Sequence, residues 1–133
     1  MTAAVFADTN VLLYLLSADA TKAARAEAVL AGRIVISVQV LNEFANVARR
    51  KLGLPWPALR QMLADIGHFA EIRPLTLATH EKALTLAERF QFSVYDALIV
   101  AAALEAGCTQ LLSEDMQHGQ RIDGRLDILN PFV

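Results

Sequence analysis

The chain has 133 residues, enough for one domain with its own hydrophobic core and too few for two. Its single cysteine, Cys108, excludes an internal disulfide framework and suits a reducing compartment. No apolar run approaches the roughly 20 residues of a membrane span, and the first residues lack the basic and apolar parts of a secretion signal. We therefore expect one cytoplasmic domain over residues 1–133, with no membrane partner.

The charge balance gives no direct sign of a nucleic-acid partner, because 12 Lys and Arg oppose 14 Asp and Glu, for a net charge of −2. If four of the acids surrounded cations, the remaining surface would be slightly basic, so the composition still permits RNA binding. The hydrophobic fraction of 55% is high for a small soluble monomer. It predicts an apolar surface that another protein covers.

Short β-like segments alternate with longer helical ones, which predicts an α/β domain with a mostly parallel sheet. There is no repeat and no linker. In chain order, the predicted elements are strand Ala3–Ala7, helix Asn10–Leu16, helix Thr21–Ala31, strand Arg33–Val38, helix Gln39–Leu52, helix Pro57–Phe69, strand Glu71–Leu75, helix Thr76–Phe90, helix Ser93–Gly107, strand Thr109–Leu112 and edge strand Leu126–Leu129.

Two acidic residues follow predicted strands. Asp8 ends the first strand and Asp115 lies just beyond the fourth, and ligands of open α/β sheets bind at the carboxyl ends of strands. As alternatives, Asp8 could cap the helix that begins at Asn10, and Asp115 could be an ordinary loop residue. The Ser113 hydroxyl could support the site or cap a turn.

Two further acids interrupt apolar helices. Asp96 is the third residue of the segment Val94–Leu104, which is otherwise apolar on every side. An ionised carboxylate there is costly unless it is paired or binds a metal. Its spacing from Ser93 also fits a capping box, which is compatible with a functional role. Glu43 lies on the same helix face as Val40, Phe44 and Val47, where a charge is unusual.

These acids are candidates for a metal-dependent active site. No cluster of His and Cys with zinc spacing accompanies them, and sites built from carboxylates select hard cations, Mg²⁺ or alternatively Mn²⁺. Four converging carboxylates would repel one another without a cation. Such sites polarise a phosphodiester and activate water, so we predict hydrolytic phosphodiester chemistry.

Four segments of the chain, in this order, resemble the PIN-domain ribonucleases, and in length the chain resembles the VapC toxins of toxin–antitoxin pairs. The segments are Asp8-Thr-Asn-Val-Leu-Leu-Tyr14, Leu41-Asn-Glu-Phe44, Tyr95-Asp-Ala-Leu-Ile-Val-Ala-Ala102 and Leu112-Ser-Glu-Asp115. Many relatives have Thr where this chain has Ser113, which keeps the hydroxyl.

The resemblance implies a central parallel sheet of about five strands flanked by helices. It also implies an Mg²⁺-dependent endoribonuclease, usually homodimeric, that a VapB-type antitoxin inhibits. Asp8 and Asp96 would be the main metal ligands, Glu43 and Asp115 would complete the acidic pocket, and Asn10 and Ser113 would support it.

Other interpretations are weaker. A receiver-type signalling domain would need paired acids after the first strand and a later Lys, and a haloacid-dehalogenase-type phosphatase would need an acid at Asn10. A catalytically silent PIN-fold binding protein would not need all four acids. The sequence identifies no RNA-binding residue, since we interpret Arg49-Arg50-Lys51 as cations at a helix end, where they suit the helix dipole.

Overall fold

A six-stranded sheet organises the protein in the computed structural model, which describes residues 4–133. The strand order is β3-β2-β1-β4-β6-β5, and every neighbouring pair is parallel except the antiparallel β5 and β6. The strands are β1 (Val5–Ala7), β2 (Ile34–Ser37), β3 (Ala70–Arg73), β4 (Gln110–Leu112), β5 (Arg121–Ile122) and β6 (Leu126–Leu129). The predicted α/β class with a mostly parallel sheet is confirmed.

Six α-helices flank the sheet, and several begin at residues that satisfy their free N–H groups. Asp19 caps the second helix, Thr76 and Thr79 form a reciprocal capping box, and Ser93 caps the sixth. The helices are α1 (Thr9–Leu13, extended by a 3₁₀ turn over Tyr14–Leu16), α2 (Ala20–Val29), α3 (Val38–Arg50), α4 (Trp56–Phe69), α5 (Leu77–Phe90) and α6 (Val94–Glu105). None of these described helices is long and apolar enough to cross a membrane.

The core lies where α6 packs against the centre of the sheet. Every residue of α6 from Ala97 to Leu104 is buried, as the all-apolar pattern predicts for a helix covered on each side. The four residues of β2 are buried too, as expected for a strand between two parallel neighbours. Fully buried side chains such as Phe6, Phe44 and Ile99 each contribute roughly 1.5–3 kcal/mol of transfer free energy.

The main correction concerns the last strands. β6 was predicted as the edge strand, but it lies inside the sheet, between β4 and β5. The short strand β5 was not predicted. Asp123 and Gly124, with φ of 51° and 64°, turn the chain from β5 into β6. An Asp-Gly pair is a hairpin signal, so the sequence did contain evidence for this turn.

Smaller differences affect the ends of elements. The predicted helix Asn10–Leu16 starts one residue earlier and ends as a 3₁₀ turn. The predicted strand Ala3–Ala7 begins with Ala3, which lies outside the described residues, and its described part runs from Val5.

Candidate active site

Asp8 lies at the carboxyl end of β1, in the middle of the sheet. Its side chain is 4% exposed, Oδ1 accepts a hydrogen bond from the Thr9 N–H at 2.7 Å, and Oδ2 accepts one from the Ser113 hydroxyl at 2.8 Å. Its pKa is raised to about 6, mainly by burial and to a smaller extent by the negative charges of Glu43 and Asp96, while the hydrogen bonds from Ser113 and Thr9 partly oppose the rise. Asp8 therefore caps α1 and is also coupled to the other acids.

Glu43 is half-buried on α3 and is held by two donors. The Thr9 hydroxyl donates to Oε2 and the Gln39 side-chain amide donates to Oε1, both at 2.9 Å. Sequence reasoning predicted Glu43 but missed both donors. Gln39 could have been found, because residues four apart on a helix are neighbours on its surface.

Asp96 lies in the first turn of α6, where its backbone N–H donates to the Ser93 hydroxyl at 3.1 Å. Burial raises the pKa of its carboxyl group, and so do the charges of Asp115 and Glu43, whereas Ser93 lowers it. The carboxyl group is therefore near two other candidate acids. The Ser93 cap is present, and it coexists with this placement.

Asp115 follows β4 and is tied to the loop after β1. The Asn10 side chain joins the two loops. Its Nδ2 donates a hydrogen bond to Asp115 Oδ2 at 3.1 Å, and its Oδ1 accepts one from the Glu114 backbone N–H at 3.1 Å. Ser113, which is fully buried, donates to Asp8 and accepts from the Asp115 N–H at 3.2 Å. Asn10 and Ser113 thus both contact candidate acids, as expected for supporting residues.

The structure brings the four acids together near the carboxyl ends of the strands, where Asp96 interacts electrostatically with each of the other three and Asp8 also interacts with Glu43. Within residues 4–133, however, no three His, Cys, Asp or Glu side chains converge on one point as a metal site. The donor chemistry still fits a hard cation, because the site offers only oxygen ligands and because neighbouring negative charges raise the pKa of Asp8 and Asp96. A divalent cation would offset that repulsion.

An open cleft of about 300 Å³ reaches two of the acids, Glu43 and Asp115, and is also lined by Thr9, Asn10, Leu13, Asn46, Val47 and Lys51. It adjoins a more apolar cleft of about 330 Å³, lined by Asn10, Leu13, Tyr14, Leu16, Ser17, Val47, Lys51, Leu52, Glu114 and Asp115. A larger cavity of about 490 Å³ lies between α2 and the C-terminal residues, but no acidic residue lines it. By its chemistry rather than its volume, the cleft with Glu43 and Asp115 is the candidate active-site cleft.

Three solved structures share this fold at a low sequence identity. The chain is similar to a toxin–antitoxin complex from Klebsiella pneumoniae, with 20% identity over 97% of this chain and 98% of that one and a TM-score of 0.74. It is similar to VapC20 of Mycobacterium tuberculosis, described as a sarcin–ricin loop cleaving toxin, with 21% identity over 84% and 91% of the two chains and a TM-score of 0.69. VapBC2 from Rickettsia felis, bound to a DNA fragment from its promoter, matches with 18% identity over 96% and 98% and a TM-score of 0.69.

No protein with a curated description matches the chain by sequence. The PIN domain family model, by contrast, matches residues 5–122. This range includes β1, α3, α6 and the loop after β4, and with them all four candidate acids. The chain belongs to the PIN domain family.

Proposed function

We propose that the protein is a divalent-metal-dependent endoribonuclease that acts as the toxin of a toxin–antitoxin pair. The observation that carries this proposal is the buried Asp8, coupled to Glu43 and Asp96 at the carboxyl edge of the sheet. The fold shared with a toxin that cleaves the sarcin–ricin loop supports RNA as the substrate. Because the chain belongs to the PIN domain family, it is neither a receiver-type signalling domain nor a haloacid-dehalogenase-type phosphatase.

In this proposal Asp8 and Asp96 are the main ligands of Mg²⁺, or of Mn²⁺ in its place, and Glu43 and Asp115 complete the pocket. The cation would polarise the phosphodiester and lower the pKa of a bound water molecule. Thr9 and Gln39 orient Glu43, and their hydrogen bonds limit its rotation. Asn10 and Ser113 fix the loop of Asp115 relative to β1.

The direct test is to incubate purified protein with end-labelled RNA in Mg²⁺, in Mn²⁺ and in EDTA. We expect cleavage in both metals and none in EDTA. Asp8→Asn and Asp96→Asn should each abolish cleavage while the circular dichroism spectrum stays that of a folded protein. Asp65→Asn is the matched control, because Asp65 is exposed on α4 and hydrogen bonds only to Gln61 within the described chain. If the protein cleaves RNA in neither Mg²⁺ nor Mn²⁺, the nuclease proposal is wrong and the catalytically silent PIN-fold interpretation replaces it.

We also propose a cognate VapB-type antitoxin that occupies the apolar cleft beside the acids. Several structures with this fold are toxin–antitoxin complexes. The cleft combines apolar side chains of Leu13, Val47 and Leu52 with acidic ones, which suits a helix that carries a basic residue.

Co-expression with the adjacent open reading frame tests this proposal and should give a complex without nuclease activity. Leu52→Lys should weaken the complex, because Leu52 is 51% exposed and lines the cleft. Leu75→Lys is the control, because Leu75 is 39% exposed and lines neither cleft at the acids. A complex that still cleaves RNA contradicts this model of inhibition.

A homodimer is the third part of the proposal. Leu77 and Leu84 lie one heptad apart on α5 and are 71% and 46% exposed, and Val94 and Tyr95 are exposed at the start of the adjoining α6. An exposed apolar surface of this kind suits a second copy of the chain. Sedimentation at micromolar concentration should show a dimer that Leu84→Arg converts to monomer. A wild-type protein that sediments only as monomer contradicts the dimer.

A further inference from the structure

The three consecutive cations Arg49, Arg50 and Lys51 have different surroundings at the end of α3. The Arg49 guanidinium donates to the Leu54 carbonyl oxygen at 2.8 Å and lies 4.3 Å from the ring centre of Trp56. Arg49 therefore stabilises the connection between α3 and α4. Helix-end electrostatics is an adequate explanation for this residue.

Arg50 and Lys51 have no such role. Neither side chain takes part in an ion pair or a hydrogen bond within residues 4–133, although Lys51 lines a cleft together with Glu114 and Asp115. Both are accessible at the protein surface. Two free cations beside a cluster of carboxylates are available to bind an anion from solution.

The helical period places these cations in line with the proposed active site. Glu43, Asn46, Val47, Arg50 and Lys51 follow one another on one side of α3, and at 1.5 Å per residue Lys51 lies about 12 Å beyond Glu43 along the helix axis. Lys51 lines the acidic cleft with Glu43 and Asp115. It also lines an adjoining cleft of about 330 Å³ with Asn46, Val47 and Arg50. The two clefts form a continuous path from the acids to the cations.

We propose that Lys51 and Arg50 bind backbone phosphates of the RNA strand next to the bond that is cleaved, with Asn46 between them and the acids as an additional polar contact. This inference rests on the proposed ribonuclease function. The acids repel phosphates that no metal ion neutralises, so a strand that crosses this edge of the sheet needs positive charge on its flanking nucleotides. Because phosphates are the groups bound, the subsite reads no base sequence.

The test is the affinity for a fluorescein-labelled single-stranded RNA 12-mer in Mg²⁺, measured by anisotropy over a series of salt concentrations. Every variant carries Asp96→Asn, so that the RNA stays intact under the proposed function. Lys51→Gln should weaken binding about fivefold at 0.1 M salt and reduce the slope of log K against log salt by about 0.7, the value for one phosphate contact on a single strand. Arg50→Gln should act in the same way, and Lys51→Arg should keep the affinity of the parent, the protein with Asp96→Asn alone.

Arg33→Gln is the matched control, because Arg33 is exposed and lies just before the amino end of β2. The candidate acids lie near the carboxyl ends of the strands, on the opposite side of the sheet. It removes the same charge and should leave the salt slope unchanged. If the parent binds RNA and Lys51→Gln and Arg50→Gln bind it equally well with the same slope, the phosphate subsite is wrong while the ribonuclease proposal stands. If Arg33→Gln weakens binding as much as they do, the effect is one of net charge and the subsite is also wrong. If the parent binds no RNA, the phosphate subsite is wrong, and cleavage of RNA by the wild-type protein in Mg²⁺ decides the ribonuclease proposal separately.

Discussion

Replacing the buried Asp8 by Asn should stabilise the metal-free protein at neutral pH. Burial and the neighbouring acids raise the pKa of Asp8 from 3.8 to about 6 in the folded protein. A group whose folded pKa is raised binds its proton more tightly when folded, so stability falls as the pH rises from about 4 to about 6. At pH 7 this shift corresponds to about 3 kcal/mol that disfavours the folded state.

Asn at position 8 removes that charge but alters the hydrogen bond from Ser113, at a cost of about 1 kcal/mol. We therefore expect Asp8→Asn to raise the free energy of unfolding by about 2 kcal/mol at pH 7. At pH 4 the wild-type carboxyl group is mostly protonated in the folded state, so the penalty falls below about 1 kcal/mol and the gain should vanish.

Urea unfolding in EDTA at the two pH values measures this difference, and Asp65→Asn is again the control. Asp65 is exposed on α4, so its substitution should change stability little at either pH. An Asp8→Asn variant that is less stable than the wild type at pH 7 would refute the reasoning. It would show that Asp8 acts mainly as the cap of α1.

Three further substitutions test contacts around the site. Ser113→Ala removes a buried donor to Asp8 and should lower the free energy of unfolding by about 1–3 kcal/mol in urea. Thr9→Val keeps the side-chain volume but removes a donor to Glu43, so RNA cleavage should fall about tenfold or more, as is typical for groups that orient a ligand; an unchanged rate would contradict this role. Arg49→Met should cost about 1–2 kcal/mol and change the tryptophan fluorescence, since the guanidinium covers the only Trp ring; an unchanged spectrum would contradict that contact.

The positions of the four acids could be predicted because each breaks a local rule. Asp8 and Asp115 follow strands, and Glu43 and Asp96 interrupt apolar helix faces. The four acids can therefore be selected as candidates from the order of the residues alone. The helix and strand types follow from hydrophobic periodicity for the same reason. These assignments need no knowledge of how distant segments meet.

Features that depend on distant segments were harder to predict. β5 has only two residues, too few for an alternating pattern, and it forms because β6 offers a partner through the turn at Gly124. The role of Thr9 depends on α3 lying against α1, which no local pattern reveals. The same holds for Arg49 and Lys51, whose different surroundings follow from the path of the chain into α4.

The central pairing of β1 with β4 joins the beginning of the chain to its last third. Asp8 and Ser113 hydrogen bond across 105 positions of sequence, and Asn10 and Asp115 do the same. A nascent chain on the ribosome therefore carries Asp8, Glu43 and Asp96 before the loop that completes their surroundings, residues 113–115, has been synthesised. Parallel pairing over such a separation is slow to form because a large loop must close first. Under the proposed function, the active site and the cleft proposed for the antitoxin mature together, because Glu114 and Asp115 of this late loop also line that cleft.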